Sequence, residues 1–434
     1  MRLIPPALVL VLCLPVAVQA QVADAQFLSE KVDPRVIAWR RQIHANPELS
    51  NREFKTSKLV ADHLRSLGLE VRTGIAHTGV VAIIKGGKPG PRIALRADMD
   101  ALPVTERSNL PFASKVTATY NGETVGVMHA CGHDAHTSIL MGVAEALVSV
   151  RKDLPGEVML IFQPAEEGAP DGETGGARQM LAEGLFADFK PEAVFGLHVH
   201  STVPVGQVGY RSGPFMAAAD SFRIVVKGKQ THGARPWLGI DPIVAASDLV
   251  GTAQTIVSRR MNLASQPVVL SFGMIRGGLR SNIIPDQVEL IGTIRTFDLA
   301  MREQAFAELR RVAENTAAAH GATVELTIPD GDSYPSTYNN PALLARILPS
   351  VMKAVGADNV REIPLSTGGE DFSMYGQLVP AVFLYVGVTA KGIDPATAAP
   401  NHSPLFTVDE GGLAVGTRTL LQVSLDYLNA STPR

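Results

Sequence analysis

A chain of 434 residues, 46% of them hydrophobic, can bury a large core, and its length suggests two or more domains. A formal charge of -3, spread without a basic cluster or an RNA-binding signature, argues against nucleic acid as a partner. Beyond the N-terminal segment, no stretch is long and apolar enough to cross a membrane.

The first residues read as a targeting segment. Arg2 supplies the positive region, 8–14 the apolar core, and Val18-Gln19-Ala20 a cleavage site ending in a small residue. The apolar run is too short for an anchor, and bulky Leu12 before Cys13 disfavours a lipoprotein site. The mature chain is expected to start near Gln21 and to be exported, to a periplasm or beyond. With Cys13 removed, Cys131 is the remaining thiol, and no internal disulfide can form.

Apolar spacing predicts helix over 26–67, then strands at 80–84 and 92–95. The second strand runs into Arg96-Ala97-Asp98-Met99-Asp100. A helix is expected over 137–150, a buried strand at 157–162, a helix over 175–189 and a strand at 193–197. Strands alternating with helices describe an α/β sheet, with functional groups gathered past the carboxyl ends of the strands. The middle of the chain changes rhythm: strand 221–226, helix 242–256, strands 268–274 and 287–293, helix 301–320, strand 322–328. That β-α-β-β-α-β order is the ferredoxin-like unit. The α/β pattern then resumes with helix 341–355, strand 381–386 and helix 412–428. The expected fold is therefore a mixed-sheet αβα catalytic domain with an inserted ferredoxin-like domain. Its parts are a signal peptide (1–20), a first catalytic segment (21–217), the insertion (218–329) and a second catalytic segment (330–434).

The chemistry concentrates in four short runs. Met128-His129-Ala130-Cys131-Gly132-His133-Asp134 puts a thiol, an imidazole and a carboxylate in one turn. Sulfur, imidazole and carboxylate are the donors for zinc and similar ions. Gln163-Pro164-Ala165-Glu166-Glu167-Gly168 follows a strand; of two adjacent carboxylates, one can bind metal while the other moves a proton. His198 directly follows the 193–197 strand, and His200 shares its face if the segment stays extended. Asn401-His402-Ser403-Pro404 holds one more imidazole in a turn. Asp98 and Asp100 end a strand; one can orient a ligating imidazole, or pair with Arg96. In the insertion, His232 sits in a Gly/Pro turn, and Asn282 and Arg295 add polar groups that can grip a free carboxylate. Rival readings are a Cys131–His133 nucleophilic dyad without metal, and an exported solute-binding protein closing on its ligand. Neither has a use for Glu166 beside Glu167.

Together these runs, with Gly369-Glu370-Asp371-Phe372 and Asn282-Ile283-Ile284-Pro285-Asp286, resemble the di-metal amidohydrolases that include aminoacylases, hippurate hydrolases, auxin-amino-acid conjugate hydrolases and related carboxypeptidases. The resemblance runs from about Val36 to Leu428. It implies two divalent ions (zinc, manganese or cobalt) on Cys131, His133, Glu167, His198 and His402, with Cys131 bridging. It implies Glu166 as general base and acid in cleaving the amide of an N-acyl amino acid or small peptide-like substrate; Asp100, at its strand end, is a further candidate for the catalytic set. It also implies that the insertion is a lid and homodimerisation domain whose His232 reaches a partner subunit's active site, where it is expected to stabilise the oxyanion. Two departures stand out. The lid turn reads Thr231-His232-Gly233-Ala234 where many relatives have Ser-His-Ala-Ala, and Asp98 stands where distant relatives place a ligating histidine.

Overall fold

The computed structural model describes residues 24–331 and 333–430. The expected signal peptide and the mature start near Gln21 lie outside the described residues. In chain order, α1 (Ala25–His44) and α2 (Phe54–Ser66) precede β1 (Val71–Ile75), β2 (Gly79–Lys85) and β3 (Lys88–Asp98). A hairpin of β4 (Thr117–Tyr120) and β5 (Glu123–Gly126) leads to α3 (His133–Ser149) and β6 (Pro155–Gln163). Then come α4 (Gly176–Ala182), β7 (Ala193–Pro204), β8 (Val208–Tyr210) and β9 (Gly213–Met216).

The next segment runs β10 (Ala218–Lys227), β11 (Thr231–His232), α5 (Pro242–Thr255), β12 (Val269–Gly277), β13 (Ile283–Ile284), β14 (Gln287–Thr296), α6 (Leu299–Ala319) and β15 (Thr323–Thr327). The chain finishes with β16 (Ser333–Tyr334), β17 (Thr337–Asn339), α7 (Pro341–Val355), β18 (Val360–Glu362), α8 (Ser373–Gly376), β19 (Ala381–Thr389) and α9 (Gly411–Ala430).

The main sheet has eight strands in the order β1-β2-β6-β3-β7-β19-β8-β18. Its centre, β6-β3-β7-β19, is parallel, while β1, β2 and β8 add antiparallel pairs. This is a mixed α/β fold. Both faces of the central strands are covered, which explains why 158–162 is an unbroken apolar run. Val158, Leu160 and Phe162 pack with α1, α3, α7 and α9 on one face. Met159 and Ile161 point the other way, towards Met180 of α4 and Tyr375 of α8. Strand periodicity thus splits one run between two cores.

A second, antiparallel sheet, β12-β14-β10-β15, has its own core under α5 and α6. Its strands alternate buried and half-exposed residues, as expected of a sheet covered on one face. Edge strand β12 leaves Met274 and Ile275 exposed.

Four element boundaries differ from the sequence pattern. The segment 26–67 is two helices separated by a loop that delivers Ser50 and Glu53 to the site. The helix expected over 175–189 stops at Ala182, ahead of Gly184 with φ 83°. The strand expected to end at Leu197 continues through His198 and His200 to Pro204, hydrogen-bonded to β19 despite its polar residues. Helix α3 starts at His133 itself, four residues earlier than the apolar spacing suggests.

Candidate active site

Gly132 turns the chain from the Cys131 loop into α3. Its φ of 97° suits glycine, and a Cβ there would lie 2.3 Å from Val199 Cγ2. This tight packing puts Cys131 against β7, with its sulfur 3.3 Å from His198 Nε2. His402 comes from the other end of the chain. Its backbone is left-handed (φ 71°), and its N–H donates to Ala130 O at 2.7 Å. The side chain of Asn401 braces the same turn, donating to the carbonyls of Cys131 and Val199. His402 Nε2 ends 3.2 Å from Cys131 Sγ and 3.2 Å from Glu167 Oε1.

The Glu166-Glu167 turn hangs from two buried carboxylates. Asp100 accepts the N–H of Glu166 at 3.1 Å and that of Glu167 at 3.0 Å. Glu53 accepts the N–H of Ala165 at 2.9 Å. Ala165 has φ 52°, a conformation that costs a non-glycine residue roughly 1–2 kcal/mol, so the turn is held by its surroundings. Asp100 also accepts from His133 Nδ1 at 3.3 Å and from Ser50 at 2.8 Å. His133 Nδ1 is thereby committed, leaving Nε2 to face Glu166 and Glu167 at 3.8 and 3.9 Å. His198 is set the same way: Nδ1 donates to Val199 O at 2.7 Å, and Nε2 is aimed at Cys131.

These residues fit two metal ions. Cys131, His133 and His198 converge as one donor set, and Cys131, Glu167 and His402 as another, so one sulfur is common to both. His133 Nε2 is buried without a hydrogen-bond partner, a costly state that a cation between it and Glu167 would relieve. Without metal, burial together with Glu167, Glu166 and Asp98 holds the Cys131 thiol well above its usual range. Burial lowers the pKa of His133, but Asp98, Asp100 and Glu167 outweigh it and raise it to about 10. Metal uptake is therefore coupled to proton release. The same setting argues against a cysteine nucleophile, which needs electropositive, partly exposed surroundings.

Asp98 pairs with Arg96 at 2.6 Å and accepts from His136 Nδ1 at 2.6 Å. His136 Nε2 accepts the N–H of Val199, so both its nitrogens are used inside the protein. The strand-end acids have thus divided their work: Asp98 serves Arg96 and His136, and Asp100 serves His133 and the Glu turn.

Three buried groups carry weight that their sequence positions did not announce. Glu370 and Asp371 lie beside Glu166, and Arg96 bonds to both. Glu53 lies under the Glu turn. The run Gly369-Glu370-Asp371-Phe372 is the one sequence signal that pointed to the first pair. Burial, then Glu370, Glu167 and Asp371, push the Glu166 carboxyl well above its ordinary value.

A cavity of about 350 Å³ opens on this cluster, lined among others by Cys131, Glu166, His198, His200 and His402. Arg295, from β14, also lines it, and its guanidinium has no hydrogen bond or ion pair among the described residues. His232 and Asn282 do not line it. They sit side by side on the exposed β11–β13 ribbon, where Gly233 N–H donates to Asn282 O at 2.8 Å.

Two adjoining donor sets that share the Cys131 sulfur, with the Glu166 carboxyl beside them, are what a dinuclear metallohydrolase requires. The profile of peptidase family M20/M25/M40 matches residues 94–426, and the chain belongs to this family of metal-dependent enzymes acting on amide bonds. It is 41% identical to thermostable carboxypeptidase 2 of Saccharolobus solfataricus, over 92% of this chain and 97% of that one. It is 39% identical to N-acetylcysteine deacetylase of Bacillus subtilis, over 91% and 97%. The crystal structure of the Bacillus subtilis YXEP protein, a dinuclear metal-binding peptidase of the M20 family, superposes with a TM-score of 0.75. That match has 36% identity and covers 92% of this chain and 99% of that one. No helix among the described residues is long and apolar enough to cross a membrane.

Proposed function

We propose that this enzyme hydrolyses the amide of N-acyl amino acids or small peptide-like substrates bearing a free carboxylate. The observation that carries this reading is the convergence of Cys131, Glu167, His198 and His402 with Glu166 at one cavity, with the buried His133 against the same groups. The names of its relatives, carboxypeptidase and N-acetylcysteine deacetylase, support the substrate class. When bound, the two divalent ions supply Lewis-acid activation of the carbonyl and of water. Cys131, His133 and His198 would hold one ion, and Cys131, Glu167 and His402 the other; zinc, manganese and cobalt all suit such donors. Glu166 takes the attacking water's proton and hands it to the leaving nitrogen. Surroundings that favour its protonated form suit a group that must hold a proton between those steps. Asp100 positions His133 and the Glu turn. Arg295 grips the substrate carboxylate through its unpaired guanidinium.

In this reading the β10–β15 segment is the ferredoxin-like lid and the homodimer interface. Edge strand β12 and the exposed Ile275 and Leu279 support pairing with a second copy. His232 and Asn282, being remote from this chain's cavity, would serve the partner's, with His232 stabilising the tetrahedral oxyanion.

The direct test is metal removal. Chelator-treated protein is expected to lose turnover of N-acetyl, N-benzoyl and dipeptide substrates, and to regain it with zinc, manganese or cobalt. Cys131 should alkylate readily only in the stripped form. Turnover that survives complete metal removal would sink the reading.

For His232, the His232→Ala variant should lose turnover with unchanged metal content. Mixed dimers of His232→Ala with Glu166→Gln, verified by co-expression with two tags, should recover activity, because one of their two sites has both groups intact. Activity no higher than either parent would refute action across subunits.

A further inference from the structure

A second cavity, of about 120 Å³, adjoins the first. Glu167 lines both, whereas Arg295 lines only the larger one. The residue common to both linings is thus a metal-ligand candidate. Leu49, Ala101, Leu102 and Pro103 supply apolar walls to the smaller one, Thr119 and Tyr120 face it from the β4–β5 hairpin, and Arg52 adds a charged group at its edge. This wall is joined closely to the reacting groups. Ala101 and Leu102 directly follow Asp100, and Ser50, also in the lining, donates to Asp100.

The hairpin forms a two-stranded sheet of its own, turning at Asn121 and Gly122 with φ 50° and 81°. Its base is anchored on the cavity floor: Val116 and Ala118 pack against Leu49, Ala101 and Val127. The far strand and turn are exposed, so the wall can vary in side-chain size without disturbing the core.

An amide substrate has two halves. The half that leaves as the amine carries the carboxylate, which the Arg295 cavity accommodates. With the scissile carbonyl beside Glu166 and Glu167, the acyl substituent departs on the other side of that carbon. The smaller cavity lies next to Glu167 and lacks Arg295; the guanidinium in its own lining, Arg52, is already held by Glu173. Its volume approaches that of an engineered apolar cavity of about 150 Å³ that takes up benzene. It suits a branched aliphatic group or one compact ring.

We propose that this second cavity is the acyl-binding subsite, holding the apolar acyl group of the substrate, with Leu102 and Thr119 setting the size accepted. The assignment rests on the amide-hydrolase reading above.

The test uses the full, metal-loaded chain and two substrate series. In one, a single amino acid carries acetyl, isobutyryl or benzoyl groups. In the other, one acyl group is carried by several amino acids. Thr119→Trp narrows the cavity from an exposed strand position that tolerates an aromatic residue. It should lower the kcat/KM ratio of benzoyl to acetyl substrates about tenfold or more, the size expected for a lost pocket contact. Leu102→Ala should shift that ratio the opposite way. Ratios within the amino-acid series should stay constant in both variants. An acyl ratio that neither variant moves overturns the assignment, as does an equal shift in both series.

Should the wild-type chain cleave no N-acyl amino acid, the amide reading fails, and the cavity is tested by calorimetric binding of benzoate. Benzoate binding that Thr119→Trp weakens supports an apolar acid subsite. Binding that is absent, or untouched by the variant, overturns it.

Discussion

Glu166→Gln is expected to lower turnover by roughly 10²–10⁴-fold, the contribution of a positioned general acid–base group, while metal content stays that of the wild type. The amide keeps the size of the side chain and its place at the cavity wall but cannot accept the water's proton. The backbone that presents it should not move, because Asp100 holds the N–H groups of both residues and Glu53 that of Ala165. Glu167→Ala provides the contrast. It removes the carboxylate that faces both His133 and His402, so metal should be lost with activity. Parallel metal analysis and steady-state kinetics separate the two roles. Near-wild-type turnover in Glu166→Gln would remove it from the chemistry.

Arg96→Met should produce the largest loss of stability. Arg96 is fully buried, within 2.6 Å of Asp98, 2.9 Å of Asp371 and 3.0 Å of Glu370, and its Nε donates to Gln163. Methionine fills much of the volume but leaves three buried carboxylates without their cation. Removing one member of a buried ion pair typically costs roughly 3–5 kcal/mol, a large share of a total stability of about 5–15 kcal/mol.

The pH dependence has a definite sign. Burial, with its neighbouring acids, already raises Glu370 to about 8 and Asp371 to about 6 in the presence of Arg96. A carboxyl whose folded pKa lies above its unfolded value contributes stability at low pH and loses it as pH rises through the folded value. For Glu370 that window runs from the ordinary carboxylate range up to about 8. Removing Arg96 pushes both values higher, so the deficit of the variant should be smaller near pH 5 than near pH 8. Denaturant midpoints at the two pH values measure it. A deficit that does not change with pH would mean that the acids are not what Arg96 stabilises.

The convergence of the candidate ligands was legible because their residue types are scarce and stand at strand ends or in glycine turns. Cys131, His133, Glu167, His198 and His402 converge although 271 positions separate the first from the last. What pattern could not reveal was how each imidazole spends its nitrogens. His136, three residues along the helix from His133, has ligand spacing, yet Asp98 and the Val199 amide consume both its nitrogens. Glu370 sits at no strand end, and its contact with the Glu166 environment exists only in three dimensions. Strand limits escape the hydrophobic pattern for a related reason. Hydrophobicity fades at Leu197, but hydrogen bonding to β19 continues through two histidines. His232 and Asn282 lie outside this chain's cavity because they sit on and beside the separate β11–β13 ribbon, a relationship that spacing along the chain does not encode.

The order of the sheet has a consequence for how the enzyme is made. Strand β19 seals the β7 edge at the centre of the sheet, yet it is synthesised nearly last. Until it arrives, β7 offers an unpaired parallel edge beside a large apolar face, a form prone to association. The turn bearing His402 follows β19, so the sulfur of Cys131 stays without one of its close neighbours until then. Sheet closure and completion of the donor set are thus late, long-range events, of the kind that slow folding. A chain truncated before β19 should be insoluble and unable to retain two ions, however intact its N-terminal half.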